Sequence, residues 1–455
     1  MKIIQWIFVF QLITAYSFSQ VKISGRLINE KGDPVPYATV GLKNAKVGSA
    51  SNEQGFFQLY HALSNNRDTL TISCIGYKNA VIPIESIADY GNALITLQEF
   101  TKVISGITVK ASDKNAAKIV EKALSNYRKN YTRKKYELKG FYRQLMRNDS
   151  VYVLLTEGAF SMQDRGYGKR DIKRLRLDAL RKSDDMRNMD SLDIHYDTLM
   201  EHNDLMSLFK GDFIDATSKS WSFYSWPSFN SNILKSYDFL LDGITLYNNE
   251  EVYEISFFSK SNLKYHISDY KMFIRRKDYA LIEMRIFSKA AKITSSTSDK
   301  RGNISRLVDG QYYHKKIIQY QEYNGKWFPK YISTYGARVG GDRQKSSRLA
   351  YQQARANGDN NLVYTGHELN GRLIDPDQNN YFEFKELLIT EIRSHKQKFQ
   401  KIRERQLMDR KKYIRNHELP YSEDFWKRVN TIPMNPYLIR AKKHLISSDQ
   451  FQRQF

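Results

Sequence analysis

The chain has 455 residues, which is too long for one ordinary hydrophobic core, so the sequence predicts two or three domains. Its hydrophobic content of 41% and charged content of 27% lie in the globular range and exclude wholesale disorder. The abundance of Tyr (31) and Phe (24) beside 9 Pro favours aromatic-rich antiparallel sheets and excludes collagenous architectures.

The formal net charge of +23 is concentrated in the later parts of the chain. Residues 21–111 carry nine basic and seven acidic residues, whereas residues 394–455 carry fifteen and six. Basic chains commonly bind nucleic acid, anionic membrane surfaces or acidic polymers. The alternative is that the charge only solvates long helices and the surface.

The first 19 residues have the pattern of a secretory signal peptide. Lys2 precedes a largely apolar stretch, Ile3–Ala15, and the small residues Ser17 and Ser19 stand before the expected cleavage point. The stretch is shorter than the ~20 residues needed to span a bilayer. The sequence therefore predicts an exported protein, periplasmic or associated with the outer membrane, without a transmembrane segment in the mature chain. Export argues against nucleic acid and for anionic envelope components as partners.

Residues 20–99 alternate short strands with Gly and Pro turns. Apolar and polar residues alternate over Val21–Ile28 and Ala38–Leu42, and Asn29–Pro34 is a turn cluster. Further strands are predicted over 51–59, 68–77, 78–84 and 93–98. This spacing predicts an antiparallel β-sandwich. Cys74, the single cysteine, lies in an apolar run and is predicted to be a buried core residue.

The turn and core positions of this segment occur in a recognisable order. They are Gly25, Asn29, Gly32, Pro34, Pro36, Ala38, Val40, Gly48, Ser51, Asn52, Gly55, Phe57, Ser73, Ile75, Gly76 and Tyr77. Together they resemble the carboxypeptidase-regulatory-like domain, a prealbumin-like sandwich that precedes many outer-membrane receptors of the Bacteroidota. The resemblance implies an accessory fold without catalytic residues. Because the following ~350 residues lack a long series of barrel-type strands, the chain is predicted to be of a non-receptor type.

A connecting segment, residues 100–131, follows. Phe100–Ala111 is predicted to be a short strand, and Ser112 and Asp113 can cap a helix over Lys114–Asn130 with apolar residues at helical spacing. Residues 132–393 then predict an α+β domain, with a curved antiparallel sheet and a packed helix. Its strands are expected over 136–147, 151–162, 239–247, 252–259, 265–274, 279–288, 312–323, 326–335 and 382–392, with a tight Asn324–Gly325 hairpin.

Two segments of this domain carry functional hypotheses. Asp164–Asp197 is crowded with charge and is predicted to be a mobile excursion or a solvated helix, with phosphate binding as the alternative. Arg276–Glu283 resembles the hairpin of lipoprotein-carrier-like sheets. Such a sheet could hold an acyl chain against its helix, or its own aromatic side chains could fill that space. Residues 336–380 are predicted to form a long loop.

Residues 394–455 predict a basic helical tail. A helix is expected over Lys396–Asn416, and Leu419–Tyr421 ends it before Phe425–Arg428. This layout resembles the ends of Bacteroidota proteins that carry the same first domain.

The search for chemistry assigns no catalytic, cofactor-binding or metal-ligating residues, and no cofactor. The nine histidines are scattered without metal-binding spacing, and no Gly-x-Ser-x-Gly elbow occurs. Gly336–Gly341 lacks the Gly-Lys-Ser adjacency of a phosphate loop. Short Asp-Thr and Asp-Ser motifs at Asp68, Asp149, Asp190 and Asp197 resemble O-glycosylation acceptors.

The sequence thus predicts a mainly β, multidomain, non-catalytic accessory protein of the cell envelope. Its expected partners are an outer-membrane or periplasmic protein, or an anionic envelope surface. The alternative is a periplasmic lipid or lipoprotein carrier-like module, and the third hypothesis is a hydrolase of envelope polymers.

Overall fold

The computed structural model describes residues 20–43, 48–62, 68–103, 113–148, 151–168, 173–184, 204–210, 212, 214, 229–260, 266–293, 297–298, 304–305, 308–339, 381–408, 414, 417, 419–426, 429 and 431–446. These residues form two compact units. The first contains the described residues up to Phe100, together with residues 247–249 and 424–435. The second contains residues 101–246, 250–423 and the chain from Pro436 onward.

The first unit is a sandwich of two small sheets. Its strands are β1 Gln20–Asn29, β2 Thr39–Leu42, β3 Gly48–Ala50, β4 Phe56–Ala62, β5 Thr69–Ser73, β6 Ala80–Pro83 and β7 Ala93–Leu97, with a 3-10 turn at Ile84–Ser86. The sheet orders are β4-β1-β7 and β3-β2-β5-β6. All pairs are antiparallel except β1 with β7, which is parallel. Cys74 is buried in the core, as predicted.

A segment near the end of the chain, residues 431–435, completes this unit and is here called the C-terminal strap. Ser49 Oγ donates a hydrogen bond to the carbonyl oxygen of Thr431 (3.4 Å), and Gln58 Nε2 donates to the Thr431 hydroxyl (2.9 Å). Asn52 Nδ2 donates to the carbonyl oxygen of Pro433 (3.3 Å). The Ile432 side chain is 1% exposed. The first unit is therefore built from both ends of the chain.

The second unit is dominated by one sheet of eleven strands. Its strands are β8 Thr101–Val103, β9 Tyr136–Asn148, β10 Val151–Asp164, β11 Arg174–Asp184, β12 Tyr237–Tyr247, β13 Glu250–Ser259, β14 His266–Arg275, β15 Leu281–Ile293, β18 Val308–Tyr323, β19 Lys326–Val339 and β20 Tyr381–Arg393. Strands β16 Thr297–Ser298 and β17 Ile304–Ser305 form a separate pair. The sheet order is β11-β10-β9-β20-β19-β18-β15-β14-β13-β12-β8.

Within the described residues, five short or medium helices accompany the strands. They are α1 Lys114–Asn130, α2 Asp204–Lys210, α3 Asn232–Ser236, α4 Glu423–Trp426 and α5 Pro436–Ile446. Helix α5 packs against β10 and β11. The mainly β, multidomain fold class predicted from the sequence is confirmed.

Local signals explain why the predicted elements form where they do. The Asp113 side chain accepts a hydrogen bond from the Asn115 backbone N–H (2.8 Å) and caps α1. Asn324 and Gly325 adopt φ values of 51° and 70°, which suit the tight hairpin between β18 and β19. The two predicted strands on either side of residues 149–150 are present as β9 and β10.

Two predictions of secondary structure were wrong. The charged segment after Asp164 contains strand β11, because its basic side chains find partners on adjoining segments. Arg181 pairs with Glu157 on β10, and Arg174 pairs with Glu404 in the segment that follows β20. Over residues 394–408, no α-helix forms, and the one regular element is a 3-10 turn at Glu404–Gln406. This segment instead follows the edge strand β11, where the Met408 N–H donates to the carbonyl oxygen of Leu175 (2.8 Å).

Aromatic side chains fill the described space beside the large sheet. The ring of Tyr131, which follows α1, contacts Tyr167 (5.7 Å between centroids) and Tyr320 (5.9 Å) edge to face. Phe160 on β10 contacts Phe209 on α2 (5.7 Å). The sequence left two alternatives for this space, an acyl chain or the chain's own aromatic side chains. The described residues show aromatic side chains there.

Candidate functional site

Neighbouring strands of the large sheet are in register, so their side chains fall into rows on two faces. Arg143 and Gln144 are adjacent on β9 and therefore point to opposite faces. The two faces are called the Arg143 face and the Gln144 face. Each carries a cluster of polar groups with a different character.

The Arg143 face carries a ladder of buried charges across four strands. Arg181, Glu157, Arg143 and Glu386 occupy one row, since their backbones are cross-strand partners. Arg143 donates from Nε to Glu157 (2.6 Å) and from Nη1 to Glu386 (2.6 Å). Arg181 pairs with the second oxygen of Glu157. Tyr331 donates its hydroxyl to the second oxygen of Glu386 (3.1 Å).

Burial and pairing act differently on the two carboxyl groups. Burial alone would raise the pKa of Glu157, but Arg143 and Arg181 together hold that pKa below its ordinary value. Burial raises the pKa of Glu386 above its ordinary value, and the attraction of Arg143 only partly offsets this. The Arg143 side chain is 1% exposed, and its two carboxylate partners raise its pKa despite burial.

The ladder is suited to fixing structure. Each of its charges has an opposite charge in the next strand, so the groups bind one another. A slip of one residue in the pairing of β9 would move Arg143 to the other face and leave two carboxylates buried without it. The ladder therefore specifies the register of β9, β10 and β20.

The Gln144 face carries a basic cluster on β18 and β20. Lys316 and Lys385 are both backbone partners of Thr334 on β19, which lies between them. Their side chains are mostly buried: Lys316 is 8% exposed as a residue, and the Lys385 side chain is 13% exposed. Glu383 accepts hydrogen bonds from Lys385 Nζ (2.7 Å) and Gln144 Nε2 (2.8 Å).

The next row of this face continues the polar cluster. Gly336 lies there between His314 and Glu383, as the backbone partner of both. Strand neighbours are ~4.8 Å apart, so His314 and Glu383 stand ~10 Å apart. The described polar groups of the two rows are two lysines, a histidine, a threonine and one carboxylate.

The electrostatics of the cluster are visible at His314. Its ring is buried, and burial together with the nearby Lys316 and Lys385 lowers its pKa from 6.5 to about 3. The imidazole is therefore neutral at physiological pH. A neutral imidazole beside two ammonium groups can donate a hydrogen bond to an anion without adding a third charge.

The first unit has an apolar outer surface around Arg26. Phe56 and Leu94 are the backbone partners of Arg26 on either side, so the three side chains share one face. Leu94 is 68% exposed and Phe56 38% exposed. The Arg26 guanidinium lies 5.3 Å from the centre of the Phe56 ring. This group of three side chains is called the Arg26 patch.

The sequence assigned no catalytic or metal-ligating residues, and the described residues can be compared with its expectations on metal sites, membrane spans and acceptor motifs. No group of three or more His, Cys, Asp or Glu side chains in the described ranges could hold a metal ion. No described helix is long and apolar enough to cross a membrane. The predicted signal peptide (1–19), residues 340–380 and the acceptor motifs at Asp149, Asp190 and Asp197 lie outside the described residues. At the fourth motif, Asp68 is 1% exposed and accepts the Thr69 N–H.

Sequence reasoning missed both polar clusters. Lys316 and Lys385 are far apart in the sequence and meet only because β19 pairs with both strands. Within one strand, the spacing His314-x-Lys316 and Glu383-x-Lys385 was a usable signal, since alternate residues share a face.

Comparison with known proteins identifies the first domain. Residues 23–109 match the sequence profile of the CarboxypepD_reg-like domain. The predicted resemblance of this segment is therefore confirmed, while the match leaves the rest of the chain unassigned. No curated protein matches the chain.

Several solved structures align with the chain at low similarity. They include a domain described as an outer membrane lipoprotein-sorting protein from Vibrio parahaemolyticus (9% identity, 62% of this chain and 94% of that chain, TM-score 0.22). A DUF1329 family protein from Desulfovibrio piger aligns at 9% identity over 63% and 94% (TM-score 0.23), and MucB in complex with MucA(peri) at 7% over 62% and 98% (TM-score 0.17). At these TM-scores the alignments do not establish a shared fold and support no statement about what this chain binds.

Proposed function

We propose that the chain is an exported, non-catalytic accessory protein of the cell envelope that binds a periplasmic or outer-membrane protein through its first domain. Anionic envelope components are its second class of partner. The N-terminal signal pattern and the late concentration of positive charge support this address and this electrostatic preference.

The observation that carries the proposal is the Arg26 patch on a domain that matches an accessory family. Exposed apolar side chains around an arginine are typical of the centres of protein interfaces. Phe56 and Leu94 lie on the outer face of their sheet, so the sandwich core does not need them. A protein partner would remove both from water and would retain the stacked guanidinium between them.

A carrier of lipids or lipoproteins is the second candidate. A large antiparallel sheet with helices beside it favours this candidate. The aromatic contacts around Tyr131 oppose it, because they occupy the described space that an acyl chain would need. Organic extraction of the purified native protein separates the two: a carrier releases stoichiometric lipid, and the accessory protein does not. An envelope hydrolase, the third hypothesis, would instead turn over polymer.

Fractionation of cells that express the native chain tests the proposal. The protein should appear without residues 1–19 in the envelope fraction and should be released in part by high salt, which screens contacts with anionic surfaces. The double variant Phe56→Ser, Leu94→Ser should lose its protein partner, while Val81→Ser, at a 62% exposed position of the other sheet, should keep it. Retention of the partner by the double variant would overturn the assignment of the Arg26 patch.

A further inference from the structure

We propose that an exposed basic surface, formed by two connecting segments of the second unit, binds the surface of an anionic lipid bilayer. This surface is called the Lys134 patch, and its members are all exposed: Arg133, Lys134, Lys135, Lys396, Lys398 and Lys401. The proposal rests on the proposed function for its cellular address. It deepens that function by naming the anionic component and the residues that contact it.

The two segments meet although they are far apart in the sequence. Residues 131–135 lead from α1 into β9, and residues 394–402 follow β20. The strands β9 and β20 are antiparallel neighbours, and Glu137 is the backbone partner of Arg393, so the start of one strand lies beside the end of the other. Lys135 Nζ accordingly lies 5.7 Å from the centre of the Phe399 ring. The pairing of the strands therefore joins two short basic segments into one surface.

Backbone contacts hold both segments in place. The Tyr167 N–H donates a hydrogen bond to the carbonyl oxygen of Thr132 (2.9 Å). Gln163 donates from Nε2 to the carbonyl oxygen of Gln400 (2.6 Å) and accepts the Ile402 N–H at Oε1 (3.0 Å). The Ile402 side chain is 2% exposed and anchors its segment. The basic side chains thus extend into solvent from a fixed backbone, which lowers the ordering cost of binding.

The positive charge of the Lys134 patch is not balanced locally. Residues 131–135 and 394–402 contain six Lys and Arg and no Asp or Glu. Within the described residues, none of the six forms a salt bridge with a carboxylate. The nearby carboxylates pair with other cations: Glu391 with Lys139 and Arg393, and Glu404 with Arg174. An anionic surface would supply the countercharge that the chain itself does not place there.

The composition of the patch favours a lipid bilayer. Five of its six members are lysines, which bind phosphate as flexible point charges and suit headgroups that move laterally. Phe399 is partly exposed beside Lys135, and an aromatic ring among basic residues is typical of surfaces that lie in the headgroup region. Desolvation and the charges of Lys134 and Lys396 lower the pKa of His395, as expected beside concentrated positive charge.

Sedimentation of the purified mature chain with lipid vesicles tests the surface. Vesicles of phosphatidylglycerol and phosphatidylcholine in equal parts should bind the protein, vesicles of phosphatidylcholine alone should not, and added salt should weaken the binding. The triple variant Lys134→Gln, Lys396→Gln, Lys398→Gln should bind roughly 100-fold more weakly, since each lysine close to an anionic bilayer contributes about fivefold. Substitution of the same three lysines by Arg should preserve binding, because the positive charge is kept.

The matched control removes three exposed lysines of the first unit, through Lys31→Gln, Lys43→Gln and Lys78→Gln. It should change vesicle binding by less than about threefold, because these charges lie outside the patch. Equal weakening by the two Gln triple variants, or equal binding to both kinds of vesicle, would overturn the surface. Binding of the acidic polysaccharide alginate without binding of anionic vesicles would overturn it as well, in favour of a polymer. Failure of the vesicle assay would leave untouched the protein partner, which depends on Phe56 and Leu94.

Discussion

Arg143 Nη1 lies 2.6 Å from Glu386 Oε1, although the two residues are 243 positions apart in the chain. The contact joins the neighbouring strands β9 and β20 inside the large sheet. It also removes two charges from water, so each is stable only while the other is present.

Removal of Arg143 should therefore be costly. Arg143→Met leaves Glu157 and Glu386 buried without their shared cation, and we expect a loss of roughly 3–5 kcal/mol in the free energy of unfolding. Arg181→Met should cost less, because Glu157 keeps Arg143. Arg276→Met is the control, since the side chains of Arg276 and of its partner Glu251 are 53% and 48% exposed. Urea denaturation measures all three. Equal losses for Arg143→Met and Arg276→Met would show that the ladder does not stabilise the sheet.

The two carboxyl groups of the ladder should respond to pH in opposite directions. The pKa of Glu157 is lowered, so its contribution is present above the pKa of the unfolded chain and is lost as pH falls through the lowered value. The pKa of Glu386 is raised, so its ionisation costs stability as pH rises through the range above the unfolded value. Glu157→Gln should destabilise by roughly 3 kcal/mol at pH 7 and by less at pH 4. Glu386→Gln should cost less at pH 7. Identical pH profiles of stability for the two variants would contradict this account.

His314 should make the fold sensitive to mild acid. Its pKa falls from 6.5 to about 3 on folding, so the unfolded chain binds the proton more readily between these values. The stability of the wild type should therefore decrease as pH falls from 6.5 towards 3. His314→Gln should remove roughly 1–3 kcal/mol of this decrease. His395→Gln, at an exposed position, should change the profile less. Thermal unfolding of the wild type and of both variants, followed across this pH range, tests this expectation.

The C-terminal strap should stabilise the first unit. Ile432→Ala removes a side chain that is 1% exposed and should cost roughly 2–4 kcal/mol. Ile439→Ala, at a 45% exposed position of α5, makes the same chemical change and should cost less than ~0.5 kcal/mol. Hydrogen exchange should locate the loss of protection in β3 and β4, because Ser49 on β3 and Gln58 on β4 form hydrogen bonds with the strap. Unchanged protection there would show that the sandwich folds without the strap.

The sequence was most informative where a local signal decides the structure. The Asn324–Gly325 turn and the Asp113 cap placed a hairpin and a helix, because their geometry depends on adjacent residues. Strand β11 was missed because its charges are satisfied by Glu157 and Glu404, which no local pattern reveals. The helix expected after Lys396 did not form over residues 394–408, since that segment bonds to the edge strand instead.

The polar clusters show the same limit. Arg143, Glu157 and Glu386 form a unit only after β9, β10 and β20 pair in register. Lys316 and Lys385 come together only because their strands both pair with β19, and sequence spacing contains such information only within each strand.

Affinity purification of the tagged chain from gently solubilised native envelope, with mass spectrometry of proteins and lipids, tests the central claim most directly. The account predicts one stoichiometric periplasmic or outer-membrane protein that the variant Phe56→Ser, Leu94→Ser fails to retain. A chain that stays soluble and alone at low salt, with neither a protein partner nor an anionic lipid, would contradict the accessory function.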